Sequence, residues 1–165
     1  SSNISVMDFI STQFDRTVTW KDVAWMIEQW DKPFAIKGIL SVEDAKLAVE
    51  VGASAVMVSN HGGRQMDGCP APIEVIGDIV DAVGDKLEVI LDGGVRRGTH
   101  ILKALAMGAK ACMGGRSYLY GLAAGGEEGA YRSLNLLKDE VENNMILLGC
   151  KNVSQISAKH IRKWK

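Results

Sequence analysis

Short apolar segments alternate with longer amphipathic segments along this chain of 165 residues. Each apolar segment ends in small or polar residues, and apolar positions at helical spacing follow it. This order is typical of strand–helix units. The predicted strands cover residues 34–38, 55–59, 87–91 and 110–113. Because strands that alternate with helices over such distances pair in parallel with right-handed crossovers, the pattern predicts one parallel α/β sheet.

Residues that begin or end helices bound the segments between these strands. Pro33 closes a helix that starts near Trp20, because the residue before a proline is biased away from helix. Ser41 is the predicted N-cap of the next helix, with Asp44 in the first turn, where the helix dipole favours a carboxylate. Gly108 is a predicted helix C-cap. The predicted helices cover residues 20–30, 42–51, 72–83, 99–107, 118–123 and 127–148.

Four polar side chains, Lys37, His61, Asp92 and Arg116, fall at or just past the carboxyl ends of the predicted strands. Parallel strands bring these ends to one edge of the sheet, where a (β/α)8 barrel builds its active site. A doubly wound sheet is the alternative. A full barrel typically needs about 250 residues. The prediction is therefore that residues 1–165 form one domain, the last four units of a TIM barrel and a fragment of a longer chain.

Composition excludes several function classes. The 19 basic and 20 acidic residues give a net charge of -1, so no overall field attracts nucleic acid or an anionic membrane. Cys69, Cys112 and Cys150 are widely spaced without histidines at metal-ligand spacing, which indicates free thiols, a reducing compartment and no metal site. No apolar run is long enough to span a membrane, and residues 1–5 lack the features of a signal peptide.

Two glycine-rich segments follow consecutive strands. Residues 92–98 read Asp-Gly-Gly-Val-Arg-Arg-Gly, and residues 114–116 read Gly-Gly-Arg. Glycine lets backbone N–H groups approach an anion closely, and guanidinium groups grip phosphate with paired hydrogen bonds. Either segment alone is as often a tight turn, but barrels commonly hold a phosphate in the loops after their last two strands. Together they predict a phosphate-bearing cofactor. Lys37 is either a solvated lysine or a fixed charge beside that cofactor.

The loop at residues 59–65 carries the catalytic candidates. His61 and Arg64 lie three residues apart beside glycines, so one side chain can take a proton while the other binds a carboxylate. A loop histidine is more often a surface residue or a structural donor, which is how we interpret His100 and His160. For His61, the functional interpretation is favoured instead, because Arg64, Lys37 and the predicted phosphate site are expected to lie nearby.

Residues 34–38, 59–65, 91–98 and 115–116 resemble signature segments of the FMN-dependent α-hydroxy-acid dehydrogenase family. That family includes glycolate oxidase, L-lactate dehydrogenases and mandelate dehydrogenase. The resemblance runs from about residue 19 to residue 157. It implies an enzyme that uses FMN to oxidise a small L-2-hydroxy acid, lactate-like or glycolate-like, to the 2-keto acid.

The resemblance also assigns roles to individual residues. His61 is the catalytic base, which removes a proton either from the substrate α-carbon or from its hydroxyl group, and Arg64 pairs with the substrate carboxylate. Lys37 contacts the N1–C2=O edge of the flavin, and Ser59 also touches the isoalloxazine ring. The ribityl and phosphate parts of FMN are lined by Asp92, Gly93, Gly94, Val95, Arg96, Gly115 and Arg116.

The sequence departs from the family pattern in two respects. Many members have proline after the Gly-Arg pair, whereas this chain has Ser117, and Gly114 precedes the pair. Ser117 is expected to act as an N-cap. The first four barrel strands of the family are absent, and with them the aspartate that orients the histidine. A half barrel also leaves strand edges unpaired. These residues alone are therefore expected to be inactive and to dimerise or aggregate.

Other functions stay open. One is a non-catalytic half barrel that binds FMN or another phosphate ligand, for which His61 and Arg64 would be unnecessary. Another is a different FMN or phosphosugar barrel enzyme, against which the His61 loop argues.

Within the family, an L-lactate-type dehydrogenase is favoured, with oxygen, a quinone or a cytochrome as electron acceptor. The complete protein is expected to be a homo-oligomer in the cytoplasm, with peripheral membrane attachment or a peroxisomal location as alternatives.

Overall fold

The computed structural model describes residues 5–162 of the chain. The prediction that residues 1–5 are not a signal peptide concerns residues that lie almost wholly outside this described range. The strands are β1 Ala35–Ile39, β2 Ala55–Ser59, β3 Glu88–Asp92 and β4 Ala111–Met113. The helices are α1 Val6–Gln13, α2 Trp20–Trp30, α3 Val42–Glu50, α4 Pro72–Val83, α5 Gly98–Ala106 and α6 Arg116–Leu147. Two short 3-10 turns follow at Val153–Gln155 and Ala158–His160.

The predicted strands and the helices from α2 to α5 are confirmed to within one residue at each end. Polar caps explain several of these boundaries. Ser41 Oγ accepts a hydrogen bond from the Asp44 amide at 3.1 Å, as predicted for an N-cap. At the start of α4, the Glu74 carboxylate accepts a hydrogen bond from the Ala71 amide at 2.8 Å. Helix α1 was not predicted.

The expectation that Ser117 caps a helix was wrong. Helix α6 begins at Arg116, its N-cap is Gly115, and Ser117 lies inside the first turn. Its hydroxyl oxygen is buried, and it has no hydrogen-bond partner in the described part of the chain. Because the helix starts two residues earlier than predicted, the expected cap becomes an unsatisfied polar group.

The sheet has the strand order β1-β2-β3-β4, and every neighbouring pair is parallel. In a doubly wound sheet the strands would not follow one another in chain order, because the order reverses at a switch point. Val56 and Val89 are paired in register and buried. The pair two residues further along the strands, Val58 and Leu91, is buried as well. All four belong to one core cluster with apolar side chains of α3, α4 and α5. The helices therefore cover one face of the sheet, as in a segment of a (β/α) barrel.

The opposite face of the sheet carries the other alternating side chains. One row across the strands is formed by Lys37, Met57, Ile90 and Ala111, and the next by Ser59, Asp92 and Met113. Met113 is 42% exposed, and Met57 and Ile90 are only partly buried. In a closed barrel these rows are the layers that fill the interior.

The last helical stretch is two helices joined by a break. Gly125 and Gly126 have non-helical backbone angles inside α6, which agrees with the two separate helices predicted here. The two parts cross at Gly121 and Gly129, where a Cβ atom on either residue would collide with the backbone of the other. The second part packs against α5, where Leu102 belongs to a second apolar cluster.

All three cysteines are free in the structure, as predicted. Cys112 lies in β4, and burial raises the pKa of its thiol to about 11. A thiol of this kind stays protonated at neutral pH and is a poor nucleophile. Between residues 5 and 162, no helix combines the length and apolar character needed to cross a bilayer.

Candidate active site

The hydroxyl group of Ser59 joins side chains from β1 and β3. Ser59 and Asp92 are the last residues of their strands and are paired in register, so their side chains lie on the same face. Ser59 Oγ donates to Asp92 Oδ2 at 2.6 Å and accepts from Lys37 Nζ at 3.1 Å. Lys37 Nζ also lies 2.9 Å from the same carboxylate oxygen. Ser59 is fully buried, whereas the Lys37 side chain is 41% exposed and can reach a ligand.

The Asp92 carboxyl group is held in its ionised form. Burial raises its pKa, but hydrogen bonds from Ser59 and Lys37, together with the lysine charge, outweigh burial and keep the pKa below its ordinary value. The charge of His61 acts in the same direction. At neutral pH the carboxylate therefore only accepts hydrogen bonds, which suits it to ligand hydroxyl groups.

His61 is held in an unusual backbone conformation beside this group. Its amide donates to Ser59 Oγ at 3.1 Å, and its φ of 55° is one that non-glycine residues rarely adopt and that often marks a functional constraint. Gly38 makes room for the ring, since a Cβ atom there would lie only 2.9 Å from His61 Nε2. The side chain is exposed, and no hydrogen bond within residues 5–162 occupies either ring nitrogen. The imidazole is thus free to exchange a proton with a ligand.

Asn60 fixes the loop that carries His61, and the sequence analysis did not single it out. Its Oδ1 accepts from the Gly62 amide at 3.1 Å, and its Nδ2 donates to the Pro70 carbonyl at 3.3 Å. Its carbonyl also accepts from the Gly63 amide at 3.0 Å. The signal in the sequence was an asparagine two residues before a glycine pair, because asparagine side chains commonly bond the backbone two residues further on.

Two guanidinium groups belong to this loop or contact it. Arg116 Nη2 donates to the Gly62 carbonyl at 2.5 Å, which joins the loop after β4 to the loop after β2. A guanidinium has five N–H donors, so others stay available to an anion. Arg64 is exposed, and among the described residues its guanidinium has no hydrogen-bond or ion-pair partner. Both groups can therefore bind a carboxylate or a phosphate.

The loop after β3 presents unpaired backbone donors. Gly93 and Gly94 have φ values of 114° and 73°, which glycine adopts without strain. Within the described range, the amides of Gly94 and Val95 have no hydrogen-bond acceptor. The Val95 side chain is buried in the core, so this residue can offer a ligand only its backbone, while Arg96 is exposed. Free amides next to a cation form an anion site.

Helix α6 fixes the far end of that loop through Glu140, which the sequence analysis also missed. Glu140 Oε1 lies 2.7 Å from Arg97 Nε, and Oε2 accepts from the Gly98 amide at 2.6 Å. The Gly98 hydrogen bond and the neighbouring arginine lower the pKa of Glu140, which keeps it ionised. A Cβ atom at residue 98 would lie 2.6 Å from the Val141 nitrogen, so this contact requires glycine.

The structure thus brings the predicted residues of β1, β2 and β3 into one connected group. Asp92 contacts both Lys37 and Ser59, and the backbone of His61 is bonded to Ser59. Arg116 reaches the same loop through Gly62. Within residues 5–162, no group of three or more His, Cys, Asp or Glu side chains is arranged to hold a metal ion. The chemistry that these residues offer is anion binding beside an exposed imidazole.

Comparisons with known proteins fit this site. The model of the FMN-dependent dehydrogenase family matches residues 1–163. The chain is 46% identical to a peroxisomal (S)-2-hydroxyacid oxidase of Arabidopsis thaliana over 98% of the chain and 45% of that protein. It is 48% identical to the pre-mycofactocin synthase of Mycolicibacterium smegmatis over 87% of the chain and 36% of that protein. The solved structure of the monotopic membrane protein (S)-mandelate dehydrogenase matches with a TM-score of 0.91, at 38% identity over 99% of the chain and 44% of its own.

The chain spans less than half the length of each of these proteins. Its four parallel strands superimpose on part of a flavoenzyme barrel, which confirms the prediction of a partial TIM barrel. The predicted resemblance is confirmed as well, because the family model covers nearly every residue and relatives share more than four residues in ten. The chain therefore belongs to the FMN-dependent dehydrogenase family.

Proposed function

We propose that this chain is the FMN-binding, catalytic half of an enzyme that oxidises a small L-2-hydroxy acid to the 2-keto acid. One observation carries the proposal: an exposed imidazole, His61, is tied through its backbone to the group formed by Lys37, Ser59 and Asp92. A simple phosphate-binding module has no need for a base at this position. The name of the Arabidopsis relative, a 2-hydroxyacid oxidase, supports the same reaction class.

The residues present fit FMN. The phosphate matches the free amides of Gly94 and Val95 and the cations of Arg96 and Arg116. The ionised Asp92 suits the ribityl hydroxyl groups. FMN, when bound, would supply the acceptor for the two electrons that the substrate gives up.

Each polar side chain then has a separate task toward the substrate and the flavin. The fixed positive charge of Lys37 would stabilise negative charge on the N1–C2=O edge of the flavin. His61 would remove a proton from the substrate, either from the α-carbon or from the hydroxyl group, since the exposed ring serves both routes. Arg64 would pair with the substrate carboxylate and hold it near the base. Ser59 would contact the ring system while keeping Lys37 and Asp92 in place.

The first test uses a completed protein, in which the chain is joined behind the N-terminal barrel half of the Arabidopsis oxidase. Flavin absorbance is followed without oxygen after addition of L-lactate, glycolate or L-mandelate. We expect bleaching with at least one acid, and we expect His61→Gln to slow it by about 100-fold or more, the usual contribution of a general base. His160→Gln is the matched control, because His160 lies in the C-terminal turn, where it contacts Cys150 and Ser157.

The second candidate function is a half barrel that binds FMN without turnover. The unpaired amides and arginines would serve it equally well. Flavin that binds but is never reduced by any of the three acids would favour this candidate and reject the proposed reaction. Reduction that is unaffected by His61→Gln would reject His61 as the base.

We further propose that the substrate is lactate-like and that the electron acceptor is oxygen, a quinone or a cytochrome. We place the complete protein in the cytoplasm as a homo-oligomer, with peripheral membrane attachment or a peroxisomal location as the alternatives. The names of a peroxisomal oxidase and a monotopic membrane dehydrogenase among the similar proteins support these two alternatives. Reoxidation of the reduced completed protein by oxygen, a quinone analogue and cytochrome c, measured side by side, distinguishes the acceptors.

A further inference from the structure

His100 contacts the glycine loop from outside the set of predicted site residues. It is the third residue of α5 and is partly buried. Its Nδ1 atom lies 3.1 Å from the Gly94 carbonyl oxygen and 3.3 Å from the Arg96 amide nitrogen. Both groups belong to the loop in which the Gly94 and Val95 amides have no acceptor among the described residues. One ring nitrogen therefore touches two successive peptide units of the predicted phosphate loop.

These contacts determine which way the loop amides point. In a trans peptide unit the C=O and N–H groups point in opposite directions. Because the Gly94 carbonyl faces His100, the Val95 N–H in the same unit faces away from it. Because the Arg96 N–H faces His100, the Val95 carbonyl faces away as well. The unpaired Val95 N–H is thus directed to the side of the loop opposite His100.

A single ring nitrogen can form only one of the two hydrogen bonds at a time. With a proton on Nδ1, the ring donates to the Gly94 carbonyl, and without it the ring accepts from the Arg96 amide. Either tautomer holds the loop against the first turn of α5, by way of a different peptide unit.

We propose that His100 is a positioning residue for the cofactor phosphate. Through Nδ1 it holds the backbone of residues 94–96 in the orientation that presents the Val95 N–H to the phosphate. The proposal rests on the proposed function, because FMN is the molecule that brings the phosphate. A simpler role is helix capping, since a side chain at this position can bond a backbone amide just before the helix. A cap needs only an acceptor for the Arg96 amide, whereas positioning needs an atom at the place of Nδ1.

Two substitutions separate these roles. His100→Asn keeps an amide atom where Nδ1 lies, while His100→Gln moves that atom one bond further out and still provides a good capping side chain. Binding of FMN and of riboflavin, which lacks the phosphate, is measured on the completed protein, prepared without flavin, by quenching of flavin fluorescence. His100→Ala and His100→Gln are expected to weaken FMN binding roughly fivefold to tenfold, the loss of about one hydrogen bond. Riboflavin binding should stay unchanged, and His100→Asn should restore FMN binding.

Equal losses for riboflavin and FMN, or full recovery with His100→Gln, would overturn the proposal in favour of a structural cap. Hydrogen exchange of the loop amides provides a readout that needs no flavin. His100→Ala is expected to speed exchange at Arg96 and to disorder the neighbouring peptide, with recovery in His100→Asn. If no form of the completed protein binds FMN, the proposed function fails, and the exchange data still decide the role of His100. Unchanged exchange in His100→Ala would reject it.

Discussion

At the scale of single residues, Ser59 uses the full hydrogen-bonding capacity of its hydroxyl group. A hydroxyl has one donor and two acceptor positions. Ser59 Oγ donates to Asp92 and accepts from Lys37 Nζ and from the His61 amide. This single buried atom therefore sets the positions of three groups to which the proposed reaction assigns separate tasks.

Replacing Ser59 should disturb all three partners at once. We expect Ser59→Ala in the completed protein to lower the free energy of unfolding by about 1 to 3 kcal/mol, because it leaves buried polar groups unsatisfied. Urea unfolding measures the loss. Ser154→Ala is the matched control, since Ser154 is exposed and its hydroxyl bonds only Asn152 among the described residues, so the change in unfolding free energy should stay within about 0.5 kcal/mol. Equal stability of the two variants would contradict a central role for Ser59.

The lowered pKa of Asp92 makes part of the stability dependent on pH. Because the folded-state pKa lies below the ordinary value of 3.8, the ionised carboxylate stabilises the fold above that value. This contribution is lost as pH falls below 3.8 and through the folded-state pKa. We expect wild type to exceed Asp92→Asn in unfolding free energy at neutral pH, and the gap to narrow as pH falls through this window. A gap that does not change with pH would show that Asp92 is not preferentially ionised in the folded state.

The sequence predicted which residues belong to the site better than it predicted the hydrogen bonds and ion pairs between them. Lys37, His61 and Asp92 were recognised because polar groups at strand ends are conspicuous against apolar strands. The contacts of Glu140 with Arg97 and Gly98 were missed, since they join residues more than 40 positions apart through the packing of α6 on α5. No local spacing encodes such a contact.

At the scale of elements, the strands and central helices were predictable because two signals agree. The spacing of apolar residues indicates the type of each segment, and glycine, proline and capping residues mark its ends. Apolar runs between glycines bound the strands, and the pair Gly125 and Gly126 correctly separated the two parts of α6. The start of α6 was not predictable, because Gly115 and Ser117 are both acceptable caps and only the preceding strand decides between them. The close crossing at Gly121 and Gly129 was equally hidden from local pattern.

The crossing of the two parts of α6 can be tested by whether a glycine-to-alanine substitution raises or lowers the stability of the protein. In a helix, replacing glycine by alanine normally stabilises by about 1 kcal/mol. We expect Gly129→Ala to destabilise instead, because its Cβ atom would collide with the backbone at Gly121. Gly125→Ala is the control, since nothing lies within 4 Å of a Cβ atom there. Thermal unfolding of both variants decides the matter, and a more stable Gly129→Ala protein would rule out the tight crossing.

At the scale of the whole molecule, the sheet is covered by helices on one face only. The edges of the sheet are β1 and β4, and the open face carries Met57, Ile90 and Met113. Unpaired strand edges and exposed apolar side chains favour association. Family membership accounts for this face, because the chain spans less than half the length of its relatives and closure of the barrel by the remaining strands would cover it.

The isolated chain should therefore associate through this open face, whereas the completed protein, in which the face is covered, should form only a defined homo-oligomer. Sedimentation velocity over a range of concentrations compares the two. Met113→Lys places a charge on the open face beside the β4 edge and is expected to reduce association of the isolated chain. Ile146→Lys is a control, because Ile146 is also an exposed apolar residue but lies on α6, away from the open face of the sheet. An isolated chain that stays monomeric throughout would contradict the expectation.

The residues between Lys37 and Arg116 form one uninterrupted stretch of sequence, and every group to which we assign a role in binding FMN or starting the reaction lies within it. Such a stretch can be inherited, duplicated or recombined as a unit. Exchange of the complementary half of the barrel would then alter which acid is accepted while the means of holding the flavin stay intact. Grafting N-terminal halves from different relatives onto this chain, and comparing the acids that reduce the flavin, tests this division of roles.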